Sequence, residues 1–214
     1  MTDFVHIMEI VGTIAFALSG ALVAIGANLD IFGVVFVSCI TAVGGGIIRD
    51  MLLGVHPPFI FVNYHWCIVA MAVAVVVFII AYFKRREFAQ FRLFIEGINN
   101  IFDAFGLAAF TVTGAEVAYT VGYGDNGFIV IAIGMITGVG GGIFRDVFIN
   151  QTPYVLKKHI YAIASILGGV LYYLCKKWDI AEGWTVGLSV ALVVIIRILA
   201  TERKWSLPKI RLEE

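Results

Sequence analysis

The segment TAVGGGIIRDMLLG, residues 41–54, recurs 96 positions later in the chain as TGVGGGIFRDVFIN, residues 137–150. Each copy places three consecutive glycines ahead of an Arg-Asp pair, inside a long apolar stretch. A glycine within a helix costs about 1 kcal/mol relative to alanine, so each triplet sacrifices roughly 3 kcal/mol of helix stability. The repetition of so unfavourable a pattern indicates a specific structural role in a duplicated unit.

The composition indicates that this duplicated segment belongs to a membrane protein. Of the 214 residues, 61% are hydrophobic and 14% are charged. An ordinary soluble domain has about 45–50% apolar and about 25% charged residues. The chain is therefore predicted to reside in a lipid bilayer.

Seven apolar stretches have about the 20 residues that a helix needs to cross the hydrocarbon core. They predict an all-α polytopic membrane protein of seven transmembrane helices, forming one domain over residues 1–204, with a cytoplasmic tail at 205–214. Most connections between the stretches are short, so neighbouring helices are expected to be antiparallel. The seven expected spans are 4–27, 31–53, 64–83, 98–121, 126–149, 159–175 and 184–200.

Lys and Arg residues outside the spans predict the orientation. Ten of them fall on the side of the C-terminus and two on the opposite side. Positive charge is enriched in cytoplasmic loops, so the C-terminus is expected in the cytoplasm and the N-terminus outside, in the inner (plasma) membrane of a prokaryote. The ten are Lys84, Arg85, Arg86, Arg92, Lys157, Lys158, Arg203, Lys204, Lys209 and Arg211, and the two are Lys176 and Lys177.

The duplication extends beyond the glycines. At an offset of 94, FALSGA at 16–21 matches FTVTGA at 110–115, and Glu9 meets Asp103. Three spans (about 4–83) therefore repeat as three spans (about 98–175), and the helix at about 184–200 is left over. Because three is odd, the second copy enters the membrane from the opposite face, which predicts an inverted-topology repeat.

The glycine triplets fall near the predicted membrane midplane. Backbone freed from helical bonding is tolerated there only where it is buried in protein or lines a water-filled cavity. We interpret the triplets as pore hinges in two bent or broken helices that cross at a central pathway. The alternative is close helix packing, for which small residues are also used. The triplets are Gly44, Gly45 and Gly46, and Gly140, Gly141 and Gly142.

Ionisable residues in spans are costly and usually face the bundle interior, a cavity or a partner. Glu9 with Arg49, and Asp103 with Arg145, are expected to pair at opposite mouths of the pathway, although each arginine could instead extend to lipid headgroups. Consecutive helical residues do not face each other, so Asp50 and Asp146 are expected to need partners other than the adjacent arginines. The remaining candidates for pore-lining or mouth positions are Ser19, Thr41, Thr113, Glu116 and Thr137.

No pattern in the sequence indicates catalysis. The four histidines lack metal-ligand spacing, and no serine lies in a nucleophile elbow. The basic runs adjoin membrane ends, where they favour contact with anionic lipids rather than with nucleic acid. We expect no enzymatic activity, no metal and no cofactor.

The paired TAVGGGIIRD and TGVGGGIFRD motifs, preceded by FALSGA and FTVTGA, resemble the prokaryotic branch of the trimeric intracellular cation (TRIC) channels. The resemblance implies a homotrimer whose protomers each hold a pore beside kinked second and fifth helices, and which conducts monovalent cations, chiefly potassium with some sodium. Animal relatives have a Lys-Glu-Val sequence where this chain has Ala115, Glu116 and Val117. The acidic residue and the valine are kept and the lysine is not.

Two other functions stay open at this stage. Domains of this sequence type are also described as glycine transporters, and inverted repeats with broken helices suit alternating access. An arginine with an acidic residue could hold a zwitterionic amino acid. A membrane scaffold without a pathway would leave the matched glycines unexplained. Backbone and hydroxyl oxygens near the midplane favour a cation channel.

Overall fold

The computed structural model of the chain describes residues 3–157 and 160–205, and these residues form helices joined by short turns. A π-helical segment, Tyr119–Tyr123, extends the sixth helix. The expected tail lies outside the described residues from position 206 onward. The helices are α1 (Asp3–Gly26), α2 (Ile31–Leu52), α3 (Phe59–Val62), α4 (His65–Phe83), α5 (Arg85–Gln90), α6 (Arg92–Ala118), α7 (Gly127–Phe148), α8 (Tyr154–Lys157), α9 (Tyr161–Lys177) and α10 (Glu182–Glu202).

Six of the helices are long and apolar enough to cross a membrane: α1, α2, α4, α6, α7 and α10. Large apolar side chains such as Phe83, Phe128 and Leu93 are at least 80% exposed on their outer surfaces, as expected of helices that face lipid. The seventh expected span corresponds to α9, which has 17 residues and is shorter than the other six. The chain is thus an all-helical, multi-pass membrane protein, and a crossing by α9 stays a prediction.

The two glycine-bearing helices begin in the same way. The Asp30 side chain accepts a hydrogen bond from the backbone N–H of Gly33 at 2.8 Å, and the Asn126 side chain accepts one from Ile129 at 3.2 Å. Short polar side chains at this position satisfy backbone donors that the first helical turn leaves free. Asp30 and Asn126 are 96 positions apart, so the duplication extends to the start of each helix.

Four helices, α1, α2, α6 and α7, form the centre of the bundle. On one side α4 packs against α1 and α2, and on the other α9 packs against α7 and α6. The last helix, α10, packs against α9 and α6. The hydrophobic core consequently has one part among α1, α2 and α4 and another among α6, α7 and α9. Buried residues of α10 belong to the second part.

The glycine triplets lie where α2 crosses α7. A Cβ atom added at Gly45 would stand 2.0 Å from the carbonyl oxygen of Thr137, and one added at Gly141 would stand 2.0 Å from that of Thr41. At Gly44 an added Cβ would meet the ring of Phe144 at 2.5 Å. Only glycine permits so close an approach of two backbones.

Of the two expected forms, bent or broken helices, the broken form is wrong, because both helices are continuous across the triplets. At Gly44, Gly45, Gly140 and Gly141 the structure has the alternative, close packing of one helix on another. Lipid provides no hydrophobic drive between helices, so intimate backbone contact is one of the few sources of their association. A bend at these points and a hinge function stay predictions.

Two names are used below for the ends of the bundle. The Arg49 end is where α1 begins and α2 ends, and the Arg145 end is where α6 begins and α7 ends. Helix α1 runs antiparallel to α6, since Gly12 lies beside Phe110 and Phe16 lies beside Gly106. The acidic residue and the arginine of each repeat therefore lie at the same end of the bundle.

Candidate functional site

A buried cluster of charged residues surrounds Arg145. Its Nη1 donates hydrogen bonds to Asp103 Oδ1 at 2.7 Å and to Ser19 Oγ at 2.6 Å. Arg145 and Asp103 are both 0% exposed. The expected Asp103–Arg145 pair is present, and it connects α6 and α7 to the middle of α1.

Two residues from the C-terminal part of the chain complete this cluster. The Tyr161 hydroxyl donates to Asp103 Oδ1 at 3.3 Å, and Arg197 Nη2 lies 3.8 Å from Asp103 Oδ2. The Arg197 guanidinium also stacks over the Tyr161 ring, 4.5 Å from its centroid. Asp103 is thus shared by two arginines that come from different helices.

Each Arg-Asp pair of the duplicated motif forms the same local structure. Arg49 Nε donates to Asp50 Oδ1 at 2.8 Å, and Arg145 Nε donates to Asp146 Oδ1 at 2.8 Å. The prediction that these aspartates need other partners is wrong, because the long arginine side chain curves back around the helix to its neighbour.

The second oxygen of each aspartate holds the following loop. Asp50 Oδ2 accepts from the Phe59 N–H at 2.8 Å, and Asp146 Oδ2 accepts from the Tyr154 N–H at 2.7 Å. Each aspartate therefore orients its arginine and anchors the next short helix. This double role accounts for the repetition of Arg-Asp as a unit.

The Arg49 end differs from the Arg145 end in its acidic partner. No ion pair joins the described side chains of Glu9 and Arg49, so the expected direct pairing is wrong. Oε2 of Glu9 lies 3.6 Å from Nδ1 of the His6 imidazole. Instead, Glu9 and Arg49 line the same cavity of about 40 Å³, together with Thr13, Trp66 and Phe110. The two polar groups face a common space rather than each other.

A larger cavity of about 610 Å³ lies at the Arg145 end, between the ends of α1 and α4 and the start of α6. Its wall includes the polar side chains of Asn99, Asn100 and Glu96, and also Tyr154. The Arg145 guanidinium lies over the Tyr154 ring at 4.8 Å, so Tyr154 separates the cavity from the charged cluster. Burial raises the pKa of the Tyr154 phenol, while Arg145 opposes that shift. The phenol therefore remains neutral near pH 7.

Two packed phenylalanine rings adjoin the cavity at the Arg49 end. Phe110 lines the cavity at the Arg49 end, and its ring centroid lies 5.3 Å from that of Phe16. The Phe16 ring in turn fills the space beside Gly106 and Gly141. These two phenylalanines occupy matched positions of the FALSGA and FTVTGA segments.

The predicted hydroxyl residues are all buried and hydrogen bonded within the protein. Thr41 donates to the Val37 carbonyl at 2.6 Å, and Thr137 donates to the Ile133 carbonyl at 2.7 Å. Thr113 makes a longer bond to the Phe110 carbonyl at 3.4 Å, and Ser19 accepts from Arg145. None of the four faces either cavity.

Glu116 lies apart from both cavities. It forms an ion pair with Lys176 at 3.0 Å and accepts a hydrogen bond from the Tyr172 hydroxyl. Lys176 also lies 5.6 Å from the centroid of the Tyr119 ring, in the π-helical segment that follows α6. Glu116 thus connects α6 to α9 rather than reaching a mouth.

Sequence reasoning missed Tyr161, Tyr154, Tyr172, Lys176 and Arg197. For Arg197 a signal existed, because a charged residue within an apolar span is expected to have a partner in the bundle. Lys176 was counted only as a loop charge. The three tyrosines had no signal, since tyrosines near span ends are ordinary in membrane proteins.

Comparison with known proteins places this architecture in a family. A model of the family described as glycine transporter matches residues 6–82 and 100–177. The UPF0126 inner membrane protein YadS of Escherichia coli (strain K12) is 36% identical over 213 residues, which are 98% of this chain and 98% of that protein.

Two solved structures share the fold. A prokaryotic TRIC channel crystallised in 0.5 M KCl is 35% identical, with a TM-score of 0.85 over 97% of this chain and 100% of that one. The TRIC trimeric intracellular cation channel orthologue from Rhodobacter sphaeroides is 30% identical, with a TM-score of 0.85 over 95% and 100%. The sequence identity and the shared fold both extend over nearly the whole length of the chain. The chain therefore belongs to the TRIC family, which includes the UPF0126 membrane proteins.

Proposed function

We propose that the chain is a potassium-permeable channel for monovalent cations, with a pore inside each protomer of a homotrimer. The observation that carries the proposal is the pair of cavities with charged lining residues at opposite ends of the bundle, with the crossing of α2 and α7 at a level between those ends. A continuous path would need only a local rearrangement at that crossing. The resemblance to prokaryotic TRIC structures supports both the ion class and the trimer.

The reciprocal glycine contacts support an inverted repeat. Gly45 meets Thr137 and Gly141 meets Thr41, so each residue of one contact corresponds to a residue of the other at the offset of 96. Reciprocity of this kind is what a two-fold axis produces. An axis in the membrane plane would relate the Arg49 end to the Arg145 end, as the two sides of one pathway.

Conduction in this proposal requires α2 and α7 to separate where they cross. Thr41 and Thr137 donate to carbonyls four residues earlier in their own helices, a bond that often bends a helix. A bend beside a glycine triplet would expose carbonyl oxygens in place of the present packing. Carbonyl and hydroxyl oxygens replace the water around a potassium ion.

The charge distribution supports an orientation in which the Arg145 end faces the cytoplasm. Seven of the ten predicted cytoplasmic Lys and Arg residues lie in described loops and helix ends on that side: Lys84, Arg85, Arg86, Arg92, Lys157, Arg203 and Lys204. The N-terminus then lies outside and the C-terminus inside. Membrane lipids, permeant cations and other copies of the chain are the proposed partners.

Single-channel recording tests the proposal. Purified protein in planar bilayers, with a potassium chloride gradient across the membrane, should give discrete steps that reverse near the potassium equilibrium potential. Empty liposomes and the same preparation after heat denaturation are the controls. Absence of steps from a preparation that elutes as a folded trimer would contradict the channel.

A second candidate function, transport of a small amino acid such as glycine, rests on the cavity at the Arg49 end. That cavity presents a guanidinium and a carboxylate that are not paired with each other, as a zwitterion would require. Saturable uptake of labelled glycine into vesicles, lost in Arg49→Gln, would favour the transporter. Uptake equal to that of empty vesicles would exclude it.

A further inference from the structure

Arg197 is a buried charge that the two repeats do not explain. It lies in α10, the helix left over from the duplication, and it is 2% exposed. Neither its Nε nor its Nη2 makes a hydrogen bond to the described part of the protein. A buried arginine with two nitrogens that lack hydrogen bonds is unfavourable in an apolar bundle. We therefore expect its charge to have a function.

The charge of Arg197 acts on Asp103. Asp103 Oδ1 is held by Arg145 and Tyr161, while Oδ2 makes no hydrogen bond and faces Arg197 Nη2 at 3.8 Å. That separation is an electrostatic contact without a hydrogen bond. Arg197 therefore compensates the carboxylate without fixing its position.

The two clusters of motif charges then differ in formal charge. Beside the Arg49 cavity, Glu9, Arg49 and Asp50 sum to one negative charge. Their buried counterparts Asp103, Arg145 and Asp146 also sum to one negative charge, and Arg197 brings that second cluster to zero.

We propose that Arg197 makes the two clusters of motif charges, one near each mouth, electrostatically unequal, and that this inequality causes the current to rectify. The proposal rests on the cation channel proposed above. A negatively charged cluster raises the local concentration of cations, and a neutral cluster does not. In identical solutions and at voltages of equal size, the potassium current that enters at the Arg49 end therefore exceeds the current that enters at the Arg145 end.

The test is the ratio of single-channel currents at equal positive and negative voltages, recorded at pH 8 in symmetrical KCl. In roughly 10 mM salt the Debye length is about 30 Å and the ratio should be largest. In roughly 1 M salt the charges are screened and the ratio should approach one. We expect a ratio of about 2 to 10 for the unmodified protein at low salt, at or below the roughly tenfold lower bound of field focusing by charged clefts, because the two clusters differ by a single charge.

Three variants distinguish an electrostatic role of Arg197 from a structural one. Arg197→Met should bring the low-salt ratio close to one, and Arg197→Lys should retain it. Arg203→Met is the matched control, because Arg203 lies at the end of the same helix but is exposed to solvent and outside the buried cluster, so it should change the low-salt ratio less than Arg197→Met does. A purely structural role of Arg197 would change trimer stability without a salt-dependent change in the ratio.

Asp103→Asn provides a second test if Arg197→Met does not assemble. It leaves the cluster of Arg145, Asp146 and Arg197 with one positive charge, so the low-salt ratio should rise. Adding Arg197→Met to this variant should return the ratio to the unmodified value. An unchanged ratio in conducting Arg197→Met, or an equal change in Arg203→Met, overturns the inference alone. Absence of any current from the unmodified trimer overturns the channel and this inference with it.

Discussion

Gly45 in α2 lies against the backbone of Thr137 in α7, so closely that a Cβ at Gly45 would stand 2.0 Å from the Thr137 carbonyl oxygen. The equivalent residues of the other repeat, Gly141 and Thr41, have the same contact at the same distance. Real Cβ atoms do not approach a backbone oxygen so closely. The crossing of the two helices therefore depends on the absence of two side chains.

Substitution of either glycine should separate the helices. Gly45→Ala and Gly141→Ala are each expected to destabilise the protein by about 1–3 kcal/mol, the usual cost of overpacking. Gly187→Ala is the control, because nothing lies within 4 Å of a Cβ added there. Thermal unfolding in detergent measures the difference.

The larger variants Gly45→Leu and Gly141→Leu test the hinge. They should reduce potassium permeation while the proposed trimer still assembles, since each leucine side chain would occupy the space that has to open between α2 and α7. Unmodified flux through folded trimers of both variants would contradict the hinge.

The membrane class, the duplicated halves and the Asp103–Arg145 pair could be predicted from the sequence. Each depends on a pattern that the chain itself contains: long apolar stretches, a motif repeated at a fixed offset, and a costly charge inside a span. The same pattern predicted a Glu9–Arg49 pair that is not formed. The two repeats are alike in sequence, but α10 packs mainly against the second.

The other differences have a local or a long-range physical cause. Continuity of α2 and α7 could not be predicted, because glycine triplets suit both a broken helix and a tight crossing. Pairing of Arg49 with Asp50 depends on the reach of one long side chain. The contacts of Arg197 and Lys176 depend on how α9 and α10 pack, which no spacing in the sequence encodes.

The two motif arginines should differ in their effect on stability. Arg145 is fully buried and bonded to Ser19, Asp103 and Asp146, so Arg145→Gln should cost about 3–5 kcal/mol, as expected when one member of a buried ion pair is removed. Arg49 borders a cavity where water can solvate its partner, and Arg49→Gln should cost less. Unfolding of the two variants side by side measures the difference, and equal losses would contradict this account.

Lys176 and Lys177 are adjacent but should respond differently to substitution. Lys176→Met leaves the buried Glu116 carboxylate without its cation and should cost about 1–3 kcal/mol. Lys177 pairs with the fully exposed Asp125 at 3.4 Å, so Lys177→Met should change stability by less than about 0.5 kcal/mol. Thermal unfolding of both variants, with Glu116→Gln/Lys176→Met to complete a double-mutant cycle, provides the measurement. A coupling energy near zero would remove the link between α6 and α9.

Phe110 should limit conduction in the proposed channel. Its ring forms part of the wall of the cavity at the Arg49 end and packs on Phe16, so Phe110→Ala should extend that cavity towards the Arg145 cluster. We expect larger unitary potassium currents or more frequent openings than in the unmodified protein. Phe36→Ala is the control, because Phe36 lies on the outer surface of α2 and is 43% exposed. Equal effects of the two variants would show that the phenylalanine pair does not obstruct the route.

The orientation can be tested by accessibility of single cysteines in cells. A background without thiols needs replacement of Cys39, Cys67 and Cys175 by alanine, after which Asp125→Cys and Glu87→Cys place one thiol at each end of the bundle. Both positions are exposed. Because positive charge is enriched on the cytoplasmic side, a membrane-impermeant thiol reagent should label Asp125→Cys in intact cells and Glu87→Cys only after permeabilisation. The opposite pattern would place the Arg145 end outside and reverse the direction of current that Arg197 is proposed to favour.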